Sequence, residues 1–205
     1  VSERINAITH TLQRVAEGDL GQLSELEEIG KRSENDTLMP AVITMMETIE
    51  SLIGETAMLS AAAVEGKLET RGDSSKFRGE YTRVVEGINK TLDAVIAPVN
   101  EALKVLQEME RGNLHQTMEG DYRGDHAAIK TAMNGTIQSL KSYIEEISGA
   151  LTEISRGNLN LSITADYKGD FVEIKDSLNN IIGSLNQVMG DISEAAEQVA
   201  AGSKQ

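Results

Sequence analysis

The sequence predicts an all-α protein of tandem helical units that complete themselves as stacked parallel four-helix coiled coils in a homodimer. Three observations lead there. Ile174, Leu178, Ile181, Leu185, Val188, Ile192, Ala195 and Val199 succeed one another at alternating steps of 4 and 3, a heptad seam rather than a strand or the wider stripe of an isolated helix. Among the Gly-x-Leu triplets, four fall at a nearly regular interval, Gly18-Leu20, Gly66-Leu68, Gly112-Leu114 and Gly157-Leu159, at spacings of 48, 46 and 45 residues. Aromatics make up 3% of the chain, with no Trp and two prolines, the composition of long helices sharing a narrow core.

Each unit has the same internal plan. An acidic residue opens a helix at Glu34, Glu80, Asp125 and Asp170. From the first three of these to the next of the four spaced glycines is always 32 residues, whereas the stretch from glycine to acid varies through 16, 14, 13 and 13. Loops absorb insertions cheaply and a seam does not. The 32-residue segments are therefore expected to be continuous helices and the shorter ones connectors.

The seams agree. The opening helix presents Ile5, Ile8, Leu12 and Val15. After Glu34 come Leu38, Val42, Met45, Ile49, Leu52, Thr56, Leu59 and Ala63. After Glu80 come Val84, Ile88, Thr91, Val95, Pro98, Ala102, Val105 and Met109. After Asp125 come Ile129, Met133, Thr136, Leu140, Tyr143, Ile147, Ala150 and Ile154. Pro98 sits inside its helix, removes one hydrogen bond and is expected to mark a kink and a unit boundary. Pro40 falls in a first turn, where proline is tolerated.

Antiparallel helices need only about 2–5 residues between them. A 13-residue connector reaches up to ~40 Å, enough to return along a ~24 Å helix and start a parallel one. The glycine supplies the turn out of the first helix. Leu159 and Ile163, like Leu114 and Met118, are expected to pin the connector to the bundle. Two parallel helices bury too little seam alone, so a homodimer is the expected completion.

Arg14-Val15-Ala16-Glu17-Gly18-Asp19-Leu20 and Ile154-Ser155-Arg156-Gly157-Asn158-Leu159 resemble the end of the first helix of a HAMP domain. The acidic residues Glu34, Glu80, Asp125 and Asp170 resemble the acidic start of that family's second helix. The tail from Ile192 to Ser203 resembles the first signalling helix of a methyl-accepting chemotaxis protein. The resemblance implies four tandem HAMP units at 1–51, 52–97, 98–142 and 143–188, with 189–205 beginning the signalling helix. It implies a non-enzymatic relay in a chemotaxis transducer, without cofactor, between an upstream sensor and a downstream signalling domain of the same chain. The alternative is the poly-HAMP linker of a sensor histidine kinase; the two differ in the output domain beyond Gln205. The implied location is the cytoplasmic part of a membrane-anchored receptor, and the ends at Val1 and Gln205 read as points where a longer chain continues.

Other function classes find little support. A net charge of −14 disfavours nucleic acid and anionic lipid. With no cysteine there is neither a disulfide nor a thiolate metal site. His10, His115 and His126 lack ligand spacing, and a phosphoacceptor box would place an acid directly after His10, where Thr11 stands. Nothing pairs a nucleophile with a base, so neither catalysis nor a small-molecule substrate is expected. Arg123-Gly124-Asp125 spells an adhesion tripeptide, but the equivalent Lys168-Gly169-Asp170 marks it as a turn before a helix. Asn35, Asn89, Asn134 and Asn160 each open a glycosylation sequon, yet Thr91 and Thr136 fall in the seam, where modification would disrupt packing.

Overall fold

The computed structural model describes residues 2–203, and every regular element among them is helical. The extreme ends, including Val1 and Gln205, where a longer chain is expected to continue, lie outside the described residues. The chain divides between Ala97 and Pro98 into two compact units.

The first unit contains α1 (Ser2–Ala16), α2 (Leu23–Ile29), α3 (Leu38–Val64), a short 3-10 turn at Ser74–Lys76 and the start of α4 (Glu80–Glu110). Its core gathers Leu23 and Leu26 of α2 with Met39, Val42 and Met46 of α3, flanked by Ile8, Val15, Leu20 and Ile43. Two expectations are corrected here. The first connector is not a plain linker, because its extra residues form α2, whose leucines three apart cover the start of α3. Glu34 does not open a helix: it lies in a turn, and α3 starts four residues later at Leu38. The reason is Asp36, whose carboxylate accepts the Leu38 and Met39 amides, both at 3.2 Å. It thereby satisfies donors that a helix start leaves free. The helix expected to be 32 residues long accordingly has 27.

The second unit contains the remainder of α4, α5 (Asp125–Ser155) and α6 (Phe171–Gly202). Its two connectors cover two cores built to one plan. Val105, Met118 and Ile137 are buried with Leu114 and Tyr122 against them. The residues 45 positions on, Ala150, Ile163 and Ile182, are buried too, with Tyr167 beside Ala150 and Ile163. Tyr143 stacks on Tyr167 and Phe171, with ring centroids 4.1 and 5.1 Å apart. Pro98 occupies the position equivalent to Tyr143 and is fully buried. Pro98, where the sequence predicts a kink, lies inside α4.

The four helices that lead into connectors end by one rule. Gly112 and Gly157 have φ of 81° and 83°, a left-handed geometry that costs glycine little. Gly112 donates to the Met109 carbonyl and Asn113 to the Glu108 carbonyl, both at 2.9 Å. That pair of bonds is the Schellman termination, which satisfies carbonyls the helix leaves free. The Glu108 carboxylate reinforces it from the Asn113 amide and the Arg111 guanidinium, at 2.8 and 2.7 Å. Glu153, Asn158 and Arg156 repeat the set.

The seam needs a correction as well. On the helix segments that lead into the three later connectors the seam residues Leu59, Pro98, Val105, Tyr143 and Ala150 are buried as expected, whereas Ile5 and Leu12 of α1 are exposed. On the second helix the buried residue is mostly the one after the seam. Met39, Val85, Ile96, Ile137 and Ile182 are buried, while Leu38, Val84, Val95 and Ile181 are exposed and Thr136 too lies outside the core. One residue is ~100° of rotation. The connector therefore packs on the flank of the second helix and leaves the seam itself open.

Candidate functional site: the connector clamps

The arrangement that recurs in the three later connectors is a polar clamp assembled from both helices of a unit. Its first jaw is a carboxylate on the first helix. Glu101 takes the Glu119 amide at 2.7 Å and the Gly120 amide at 3.2 Å, together with the Tyr122 hydroxyl. Glu146 takes the Thr164 and Ala165 amides at 3.1 and 3.3 Å. Glu55 takes the Asp73 amide at 2.7 Å.

The second jaw comes from the second helix. The Asn134 side chain accepts the Met118 N–H and donates to the Met118 carbonyl, both at 2.9 Å. Asn179 holds Ile163 in the same way at 2.8 and 3.1 Å, and Asn89 holds Gly72 at 2.8 Å on both sides. A primary amide offers an acceptor and a donor side by side, so it pairs with one residue's backbone as a neighbouring strand would. Lysine adds to this jaw. Lys130 donates to the Glu119 and Gly120 carbonyls at 3.0 and 2.8 Å, and Lys175 donates to those of Thr164 and Ala165 at 3.4 and 2.8 Å.

Thus the same two residues have their N–H groups held by a carboxylate on one helix and their carbonyls by an ammonium on the next. Charge-assisted bonds of this kind are stronger than neutral ones. The Tyr122 hydroxyl, the two amides and the nearby Lys130 hold the Glu101 carboxyl below its ordinary value. The same bond pushes the Tyr122 phenol up. In the last clamp the Tyr167 hydroxyl donates to the Tyr143 carbonyl at 3.2 Å instead, and burial pushes its phenol up. Glu146 Oε2 is left buried without a partner.

The Glu55 clamp is a variant. Val85 stands where later copies have lysine, and the connector supplies its own cation, Lys76, at 2.9 Å from Glu55. The Asp73 amide and Lys76 hold the Glu55 carboxyl low. Phe77 replaces the tyrosine. Gly72 has no room for a side chain, since a Cβ would lie 2.8 Å from Val85 Cγ1.

The residues singled out from sequence fall around these clamps. Gly18, Gly66, Gly112 and Gly157 end helices at φ between 75° and 85°. Leu20, Leu114 and Leu159 are half-buried, Ile163 is buried and Leu68 is exposed. Glu80 and Asp125 are the first residues of α4 and α5, and Asp170 is the residue before α6. Glu34 lies apart, in its turn ahead of α3. The clamp residues Glu55, Glu101, Glu146, Asn89, Asn134, Asn179, Lys130 and Lys175 are not marked by glycine spacing or by the seam. A signal for them exists, because Glu101, Tyr122, Lys130 and Asn134 each recur 45 residues on. In the sequence Asn89 and Asn134 stand out as sequons instead.

Among the described residues no group of three or more acidic or histidine side chains could hold a metal, and no helix is long and apolar enough to cross a membrane. The family model described as HAMP domain matches residues 76–142 and 143–187, together more than half of the 205-residue chain. No curated protein and no solved structure matches it.

Proposed function

The chain belongs to the HAMP domain family, and from that premise we propose that it works as a parallel homodimer that passes a conformational signal from an upstream sensor to a downstream output coiled coil. HAMP domains are non-catalytic signalling modules, so the work is mechanical. The observation that carries the reading is the open seam. On α6, Ile174, Ile181, Leu185, Val188, Ile192 and Val199 are all exposed, with Ile192 at 57%. A soluble surface rarely leaves so long an apolar stripe uncovered unless it is an interface. Completing the burial of each such side chain contributes about 1 kcal/mol.

A symmetric partner presents the same stripe and closes a four-helix bundle. Such a bundle becomes a switch when two packings lie close in energy. The small or polar seam members Thr91, Ala102, Thr136 and Ala150 favour this. Thr91 and Thr136 turn their hydroxyls back to the Gly87 and Ala132 carbonyls, each at 2.9 Å, instead of filling a core. The tail after Ile192 supports a chemotaxis output over the histidine-kinase alternative.

The chain has no cysteine, so single cysteines test parallel pairing directly. A parallel dimer brings Ile192→Cys against its own copy within the ~7 Å that a disulfide allows, while Glu194→Cys points elsewhere. Rapid oxidation of the first and slow oxidation of the second is expected. Equal rates, or a monomer at micromolar concentration by sedimentation, would overturn the dimer. For the relay, a chimera carries a known sensor ahead of Val1 and a chemotaxis output after Gln205. One residue inserted after Val95 turns the downstream seam by ~100° and is expected to uncouple the output. Seven residues restore the phase and are expected to preserve coupling. Equal damage from both insertions would reduce the helix to a spacer.

A further inference from the structure

Within the unit that starts at Pro98, α5 and α6 approach each other closely at few backbone positions. What joins consecutive helices is the connector lying between them. The clamps hold that connector by its backbone, and they do so from both sides.

Residues 118–120 show how. Glu101 of α4 holds the Glu119 and Gly120 amides. Lys130 of α5 holds the carbonyls of the same two residues, and Asn134 of α5 holds both backbone groups of Met118. Peptide planes are stiff, and hydrogen bonds weaken steeply with distance and misalignment. A shift of Glu101 by about an ångström must therefore either drag these peptides against Lys130 and Asn134 or strip bonds from them. An apolar contact, being non-directional, would let the helices slip.

The next clamp begins on the same helix. Glu146 lies 12 residues after Asn134 on α5, ~18 Å along one rigid rod, and holds Thr164 and Ala165 for Lys175 and Asn179 of α6. The same 12 residues separate Asn89 from Glu101 in the sequence of α4. Each of these helices thus carries the receiving jaw of one connector and the driving jaw of the next.

We propose that Glu101, Lys130 and Asn134, and likewise Glu146, Lys175 and Asn179, are positioning residues that make the connector a transmitting member, carrying displacement of the first helix of a unit to the second. The proposal rests on the relay reading for its purpose, but its mechanics are testable without it.

The test uses the full chain and amide hydrogen exchange. In Glu101→Gln the side chain keeps one acceptor oxygen but loses its charge and the oxygen that takes the Tyr122 hydroxyl, so the less strongly held Glu119 and Gly120 amides exchange faster in any case. In a linked clamp the Met118 amide, held by α5 alone, accelerates with them by about tenfold or more. Lys130→Met likewise speeds the Glu119 and Gly120 amides, although lysine bonds only carbonyls there. The double variant is no worse than the worse single, the non-additivity of residues acting as one. Lys130→Arg, which keeps the charge, stays near wild type. Met118 protection unchanged in Glu101→Gln, or additive single variants, overturns the clamp as a link.

The sensor–output chimera then separates the two ideas. If the unaltered chain signals and Glu101→Gln, still dimeric, loses its response to the sensor, the clamp transmits. If Glu101→Gln keeps a full response despite lost protection, the clamp is structural and the proposal fails. If the unaltered chain does not signal, the relay reading fails, while the exchange experiment still decides whether the jaws are linked.

Discussion

Replacing Asn134 by alanine removes a whole jaw while leaving the apolar core intact. Met118 is only 1% exposed, and both of its backbone groups pair with the Asn134 amide at 2.9 Å. Alanine abandons one N–H and one carbonyl of Met118 on the side where the half-buried Asn134 amide had shielded them. A hydrogen bond contributes about 1 kcal/mol net, and a buried group left unpaired costs about 1–3 kcal/mol. Two such groups, partly reached by water, give an expected local loss of about 2–4 kcal/mol. At 1.36 kcal/mol per tenfold, that is a rise of roughly 30- to 1000-fold in exchange at the Met118 amide. Exchange is the right assay because the chain has two compact units and global melting need not be two-state. The Ile163 amide, held by Asn179, should remain protected and serves as the internal control. Asn134→Asp keeps an acceptor for the Met118 N–H but offers no donor to its carbonyl, so an intermediate rise is expected. A rise of less than threefold in Asn134→Ala would mean that the amide pairing is incidental.

The same geometry sets expectations at neighbouring positions. Glu101 has a lowered folded pKa, so its contribution is fully present above the ordinary value of 4.5 and is lost as pH falls through the lowered one. Protection at Glu119 and Gly120 should therefore collapse below pH 4.5 in the wild type, and the dependence should be absent in Glu101→Gln. Gly120→Ala puts a Cβ onto the Tyr122 ring, 2.6 Å from Cε2. It should cost about 1–3 kcal/mol, read as lower urea resistance and a Tyr122 phenol pKa returned toward normal. Ile163→Ala, at a position 2% exposed, should cost about 2–4 kcal/mol. Leu159→Asp, at a half-buried position, should loosen the same connector less while shifting output bias in the chimera.

The repeat is legible in the sequence because its signals are local and forced. A glycine at φ above 75° is hard to replace, and a seam that must keep phase is easy to count. The first connector is less legible. Read as an insertion, its extra length conceals a helix whose only buried residues are Leu23 and Leu26, two residues that make no periodic pattern alone. Glu34 fails as a marker because Asp36, two residues on, performs the capping. The seam can be counted correctly and still be misassigned on the second helices, since a strict 4-3 repeat cannot tell which flank a connector will cover. The clamps are invisible to hydrophobic periodicity because all their members are polar. Comparing polar positions at the 45-residue offset exposes them.

Two positions on the second helix decide how each connector is held. Five residues beyond the acidic marker stand Met39, Val85, Lys130 and Lys175 in turn, and nine beyond it Ile43, Asn89, Asn134 and Asn179. Where both are apolar, the connector brings an apolar helix of its own, and Met39 and Ile43 pack against Leu23 and Leu26. Where only the first is apolar, Asn89 holds one residue, and the connector itself supplies Lys76 for Glu55 and Arg71 for Asp93, the latter at 2.7 Å. Where both are polar, Lys130 or Lys175 reaches across and the connector needs no cation of its own at that carboxylate. The two kinds of attachment respond differently to strain. Apolar burial resists separation but is indifferent to small sliding, whereas amide and charge pairs fix register and release once they are misaligned. Under the proposed relay, displacement at the second and later connectors meets attachments that either move with the helix or let go, which is the response a two-state relay requires.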